Sequence, residues 1–401
     1  MKKFAAGLIC FIWSTLALAQ QTPKLDTTSF VVVGEGLAAG LADFALRDVY
    51  QKKSFPAVMA QQMGTAFPQP LIQPPGIGSV PGFPVLPVAV PGPWQTSVRK
   101  PFPPPLFVFN LAVPGHHLVD AVNLRPVPPL VQTGDLKQTV TNLILGYPAM
   151  ILGSDKPLWT QAEYAVEMNP TLVLVELGYT EALEAAVHAK PNLMPDPGTF
   201  HTNYAKLLTT LQSTYAQIIT TTIPDPIDTA YFSTVAGSAQ LTGRSAGTLT
   251  SRYGLKTGDL LSPDALFEIP IETTPLPAGS VTSAATAAEI SDRVRALNAE
   301  ITTVSKNAGA VLYDLHALFA RLRTSGLSVG SYSLTANYLG GLYSLSGSYP
   351  GTTVHALIAN EILTLLNQTY KTSFPLADLT TVAPNDPAVR FRPFAVPEVA
   401  Q

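Results

Sequence analysis

Serine, histidine and glycine carry the chemistry that this sequence offers. The stretch "LYSLSGSYPGTTVHALIAN" (342–360) holds Ser344, Ser346, Ser348, Tyr349 and His355. A hydroxyl attacks a carbonyl only when a neighbouring base takes its proton and a third group orients that base. His355 is the first residue to consider as such a base. The stretch "VPGHHLVD" (113–120) places His116 and His117 directly after Gly115, with Asp120 close behind. Those three side chains can be drawn as metal ligands, but adjacent histidines diverge and no other ligand cluster accompanies them, so no metal is expected. Two further stretches, "VVVGEGLAAG" (31–40) and "VLVELGYTEAL" (173–183), set Gly36 and Thr180 just beyond apolar runs, each with an acidic neighbour, Glu35 and Glu181. His188, His201 and His316 lie elsewhere and read as ordinary polar residues.

What must position these groups is a set of short apolar runs. "SFVVVGE" (29–35), "LFVFNLA" (106–112), "TLVLVELG" (171–178), "QIITTTI" (217–223) and "AVLYDLH" (310–316) are rich in β-branched residues and have the length of buried parallel strands. Helical spacing separates most of them. Tyr204, Leu207, Leu208, Leu211 and Tyr215 recur on one face, and Ile290, Val294, Leu297, Ile301 and Val304 on another. For the second helix, Thr286 and Glu289 are placed as a capping box, with Gly309 past its end. Strands alternating with helices predict an α/β fold with a five-stranded parallel sheet, whose site lies beyond the strands' carboxyl ends. Two insertions interrupt the alternation. Residues 52–105 are dense in proline from position 68 onward, and residues 224–285 are rich in Thr, Ser, Gly and Pro, with one short helix expected around "SPDALFEI". The tail 371–401 reads as irregular coil.

Taken in order, the four stretches resemble the block motifs of the SGNH, or GDSL, hydrolases, a family of esterases and lipases. The resemblance covers residues 25–370 and implies a flavodoxin-like three-layer sandwich. It also implies roles. The family's nucleophilic serine falls at Gly36, its oxyanion glycine at Gly115, its oxyanion asparagine at Thr180, and its Asp-x-x-His pair at Ser346 and Tyr349. Only Gly115 keeps the family's residue type. A glycine has no oxygen with which to form an acyl-enzyme, and a phenol with an ordinary pKa near 10 is a poor base at neutral pH. Loss of one member of such a unit typically costs about a million-fold in turnover. The resemblance therefore implies a degenerate hydrolase with no intact catalytic set. Gly36, Gly115 and Thr180 are left as positions for binding an acyl, ester or carbohydrate ligand. The competing expectation is an ester hydrolase rebuilt around His355 and a loop serine.

Composition narrows the partners. The chain has 401 residues, a net charge of −3 and only 13% charged residues, so the electrostatic footprint of a nucleic-acid binder is missing. Its opening, "MKKFAAGLICFIWSTLALAQQ", has two lysines, an apolar run and the small-x-small pattern Ala17-Leu18-Ala19. That predicts a signal peptide over residues 1–19, cleaved near Ala19, and a secreted or periplasmic protein with no remaining membrane span. Cys10, the only cysteine, would leave with it. No cofactor is implied.

Overall fold

The computed structural model describes residues 24–83, 107–146 and 158–390. The expected signal segment, the proline-dense residues from 84 to 106 and the tail from 391 lie outside the described residues. Among the described residues no helix is long and apolar enough to cross a membrane.

The β-branched runs form the central sheet. β1 (Phe30–Gly34) and β2 (Leu172–Glu176) are buried along their whole lengths, and β3 (Gln217–Thr221) is buried at all but its first residue. With β7 (Val311–Tyr313) they make a parallel sheet in the order β1-β2-β3-β7. Burial on both faces explains why each strand reads as a continuous apolar run rather than an alternating one.

The sheet has four strands, not the five expected. The run at 106–112 contributes a single parallel bridge, Asn110 to Val32, beside β1. Backbone bonds from Val32 to Phe109 and from Leu111 to Val32 hold it there. The Asn110 side chain accepts from the Ala112 amide and donates to the Ala38 carbonyl, and the Val113 amide bonds the Gly34 carbonyl further along β1.

Helical spacing is realised almost as expected. The helix Pro197–Gln212 buries Tyr204, Leu207, Leu208 and Leu211, while Tyr215 falls beyond its end and is exposed. The helix Ala284–Asn307 buries Ile290, Val294, Leu297, Ile301 and Val304 and packs against it. Its cap is Ser283, whose hydroxyl accepts from the Thr286 amide, so the helix starts earlier than the Thr286 box predicts. Gly309 follows with φ +67, a left-handed turn that glycine adopts without strain.

The described parts of both insertions hold more helix and sheet than expected. Residues Phe55–Met63 are helical and pack on the long helix Thr352–Tyr370. The chain from 68 to 83 runs over Leu46 and Asp48, burying Ile72, Ile77 and Val80. Residues 224–285 hold the expected helix Pro263–Glu268, two more at Val235–Thr242 and Ala246–Tyr253, and a small antiparallel sheet. That sheet joins β4 (Ser233–Thr234), β5 (Leu260–Leu261) and β6 (Val281–Thr282). Ala239, Leu249, Leu255, Leu261, Ala265 and Ile269 give this unit its own apolar cluster. The tail is not all coil either, since Leu379–Val382 and Pro387–Arg390 are short helices.

Candidate functional site

The β1–β2 register builds the site. Gly34 lies opposite Glu176, so the turns that leave both strands run side by side. A β-carbon on Gly34 would stand 2.8 Å from that of Ala38 and 3.1 Å from the Glu176 carbonyl oxygen, which explains a glycine there. Two carboxylates are exchanged across this junction. Glu35 accepts from the amides of Tyr179 and Thr180, each at 2.6 Å, at the start of the helix Tyr179–Val187. Glu176 accepts from the amides of Glu35 at 3.3 Å and Ala38 at 3.1 Å, at the start of the short helix Gly36–Ala39. Each acid thus satisfies amides that its neighbour's turn leaves open.

Both carboxyls are fully buried, and Glu181 is nearly so. Burial, with the charges of Glu176 and Glu181, raises Glu35 well above the usual carboxylate range. Burial likewise pushes Glu176 up to about 8, against its amide bonds, and raises Glu181. Three charges are therefore not sustained together at neutral pH.

Gly36 and Tyr349 are in contact. A β-carbon at Gly36 would stand 2.7 Å from the Tyr349 hydroxyl oxygen and 2.8 to 2.9 Å from its ring carbons. The tyrosine ring therefore fills the space a side chain at position 36 would need. Tyr349 also packs edge-on against Tyr179, ring centres 5.7 Å apart, and the Tyr179 hydroxyl donates to the Ser348 carbonyl at 2.6 Å. Backbone bonds close the loop on itself, Ser344 to Tyr349 and Gly351 to Leu342. Gly347, at φ +73, sits against the Tyr231 backbone with no room for a side chain.

The other expected residues are spread around this centre. Thr180 is buried, its amide committed to Glu35 and its hydroxyl without a partner. Ser346 lies on the same loop, but its hydroxyl faces Ser344 at 3.3 Å and the Ser348 amide at 3.4 Å. The hydroxyl of Ser344 accepts from the Asp43 amide. Gly115, at φ +82, is half-buried and opens onto free space.

None of the three histidines singled out contacts Tyr349. His355 stacks on Phe55, and its Nδ1 accepts from the Phe55 amide at 3.3 Å. Its proton therefore sits on Nε2, which has no partner, and burial pushes the ring down to about 4. The His116 Nε2 meets the Thr141 hydroxyl at 2.8 Å, and burial lowers that ring to about 3. The His117 ring bonds Glu184 at 3.0 Å; burial lowers it, but that bond and the charges of Glu181 and Glu184 outweigh burial and hold it above its usual value. The Asp120 carboxylate accepts from the His117 amide and pairs with Lys137. Among the described residues no group of three or more His, Cys, Asp or Glu side chains is arranged to hold a metal.

Glu176 and Tyr179 escaped the sequence reading. The signal was an acid at the end of an otherwise apolar strand, which is uncommon enough to mark a buried role. Compared with protein-family models and with curated proteins, the chain matches none.

Proposed function

We propose that this is an exported protein with an SGNH-hydrolase-like fold that does not hydrolyse esters and acts as a binding or scaffold protein. The packing of Tyr349 onto Gly36 carries the reading. In an acyl-transferring site a nucleophile projects where this ring lies, with a base at hand to take its proton. Here the position has no side-chain oxygen, and its space is filled by a phenol whose pKa burial raises further. The helix amides at Tyr179 and Thr180, which would suit a developing oxyanion, already serve Glu35. His355, the candidate replacement base, has its one lone-pair nitrogen on the Phe55 amide. Ligand contact is left to the open face of Gly115, since the Thr180 hydroxyl, though unpartnered, is buried. The fold resemblance suggests acyl, ester or carbohydrate ligands for it.

Purified protein incubated with p-nitrophenyl acetate and butyrate should release phenolate no faster than a His355→Ala variant or buffer. A fluorophosphonate probe should leave its intact mass unchanged. Turnover that His355→Ala abolishes, or a covalent adduct mapped to the 342–351 loop, would sink the proposal.

A further inference from the structure

A second candidate site is built on the loop that carries Tyr349. There the stretch from 43 to 50, Leu339, Leu345 and the start of the Pro387–Arg390 helix line a pocket of about 440 Å³, in the range of small-molecule sites. Its walls are mostly apolar. Val49 and Leu345, both exposed, stand with Leu339, Pro387 and Ala388 around one polar end made by Asp43, Arg47 and Tyr50. That end balances its own charge and has little accepting capacity left. The Asp43 carboxylate pairs with Arg47 Nη2 and accepts from the Tyr50 hydroxyl at 2.7 Å and the Leu345 amide at 3.2 Å. The Arg47 guanidinium lies over the Tyr50 ring, 4.9 Å from its centre. Among the described residues it donates from Nη2 alone, so Nη1 is open, and Nε is buried without a partner. Asp43 and Leu339 are held at φ +54 and +59, left-handed conformations that the surrounding fold must impose and that gather at ligand-binding loops.

We propose that this pocket binds an uncharged carbonyl compound with an aliphatic chain, its oxygen accepting from Arg47 and its chain lying against Val49, Leu339 and Leu345. Open donors beside an engaged carboxylate select the head group. A carbonyl oxygen accepts without bringing charge. A carboxylate would meet the charges of Asp43 and of Asp386, which also acts on Tyr50, against a single guanidinium. An ammonium would face that guanidinium, find both Asp43 oxygens taken, and have no access to Asp386, which is buried against the Thr353 and Ala388 amides. A wholly apolar guest would strip water from the Arg47 donors and give nothing back. The chain follows from the walls, since aliphatic surface laid on Val49 and Leu345 takes both out of water. The inference rests on this pocket alone and stands apart from the fold resemblance and from the reading of the Gly36 centre.

The test is a titration of the full chain, ¹³C-labelled at its Val and Leu methyls, with N,N-dimethylhexanamide, sodium hexanoate and hexylamine, which share a chain and differ in head group. The amide should move the methyls of Val49, Leu339 and Leu345 and bind about tenfold more tightly than the anion or the cation. Leu345→Ser, at an exposed position whose exchange leaves the fold intact by circular dichroism, should weaken the amide about tenfold. Arg47→Lys keeps a positive charge for Asp43 but removes the open guanidinium donors, and should weaken the amide about fivefold. Hexanoate or hexylamine binding as tightly as the amide, unchanged affinity in Leu345→Ser, shifts confined to other methyls, or no shifts at millimolar amide would each overturn the proposal.

Discussion

At the scale of single residues, Gly36 and Tyr349 are best understood as one unit. A serine at position 36 would place its β-carbon within 2.7 Å of a buried tyrosine oxygen, so Gly36→Ser should destabilise the protein by about 1–3 kcal/mol through overpacking. The same exchange should cost much less where Tyr349 is already alanine, giving a coupling of about 1 kcal/mol or more in a double-mutant cycle measured by urea unfolding. Additive costs would mean that the two positions do not compete for space. The sequence alone placed a glycine and a tyrosine where the resemblance would put the attacking and proton-relaying groups, because residue types are explicit in it. It did not show that one replacement occupies the other's volume, since volume depends on a loop whose shape is set by long-range bonds. Nor did it show the exchange of Glu35 and Glu176 across two turns, residues 141 apart in the chain.

At the scale of elements, periodicity was legible wherever a segment was long enough to show it. The Ala284–Asn307 helix is the clearest case, and only its first turn was misplaced. Short or side-chain-directed pieces were not legible. β4, β5 and β6 have two residues each, too few for any period, and the run at 106–112, whose composition suits a strand, pairs with β1 through a single bridge. The Thr352–Tyr370 helix shows a different kind of concealment. Its start is capped from the tail, where the buried Asp386 accepts from the Thr353 amide at 2.7 Å and from the Ala388 amide at 3.0 Å. Gly351 must be a glycine for that approach, because a β-carbon would stand 2.7 Å from the carboxylate. Asp386→Ala leaves a buried amide without an acceptor and should lower unfolding free energy by about 1–3 kcal/mol. Unchanged urea midpoints would show the cap to be redundant.

At the scale of the whole molecule, buried ionisable groups set a pH profile. The folded His355 and His116 titrate near 4 and 3, below the ordinary 6.5, so the unfolded chain binds more protons and stability falls as pH drops below about 6.5. Glu176 acts in the opposite sense. Its folded pKa of about 8 exceeds the ordinary 4.5, so the folded state holds the extra proton and stability is lost as pH rises towards 8. Between pH 6.5 and 8 His355 and His116 no longer contribute, while Glu176 is joined by Glu35, Glu181 and His117, whose folded pKa values are also raised, so unfolding free energy should decline there. Glu176→Gln should make that decline shallower; a slope identical to that of the parent protein would assign it to the other groups. The Asp386 cap also bears on the order in which the polypeptide acquires its shape. As the chain emerges from its N-terminus, β1 must wait for β2, and the helix that follows Tyr349 must wait for an aspartate 33 residues beyond Thr353. A nascent molecule halted before residue 386 would hold every strand of its main sheet yet leave the first turn of that helix without its acceptor.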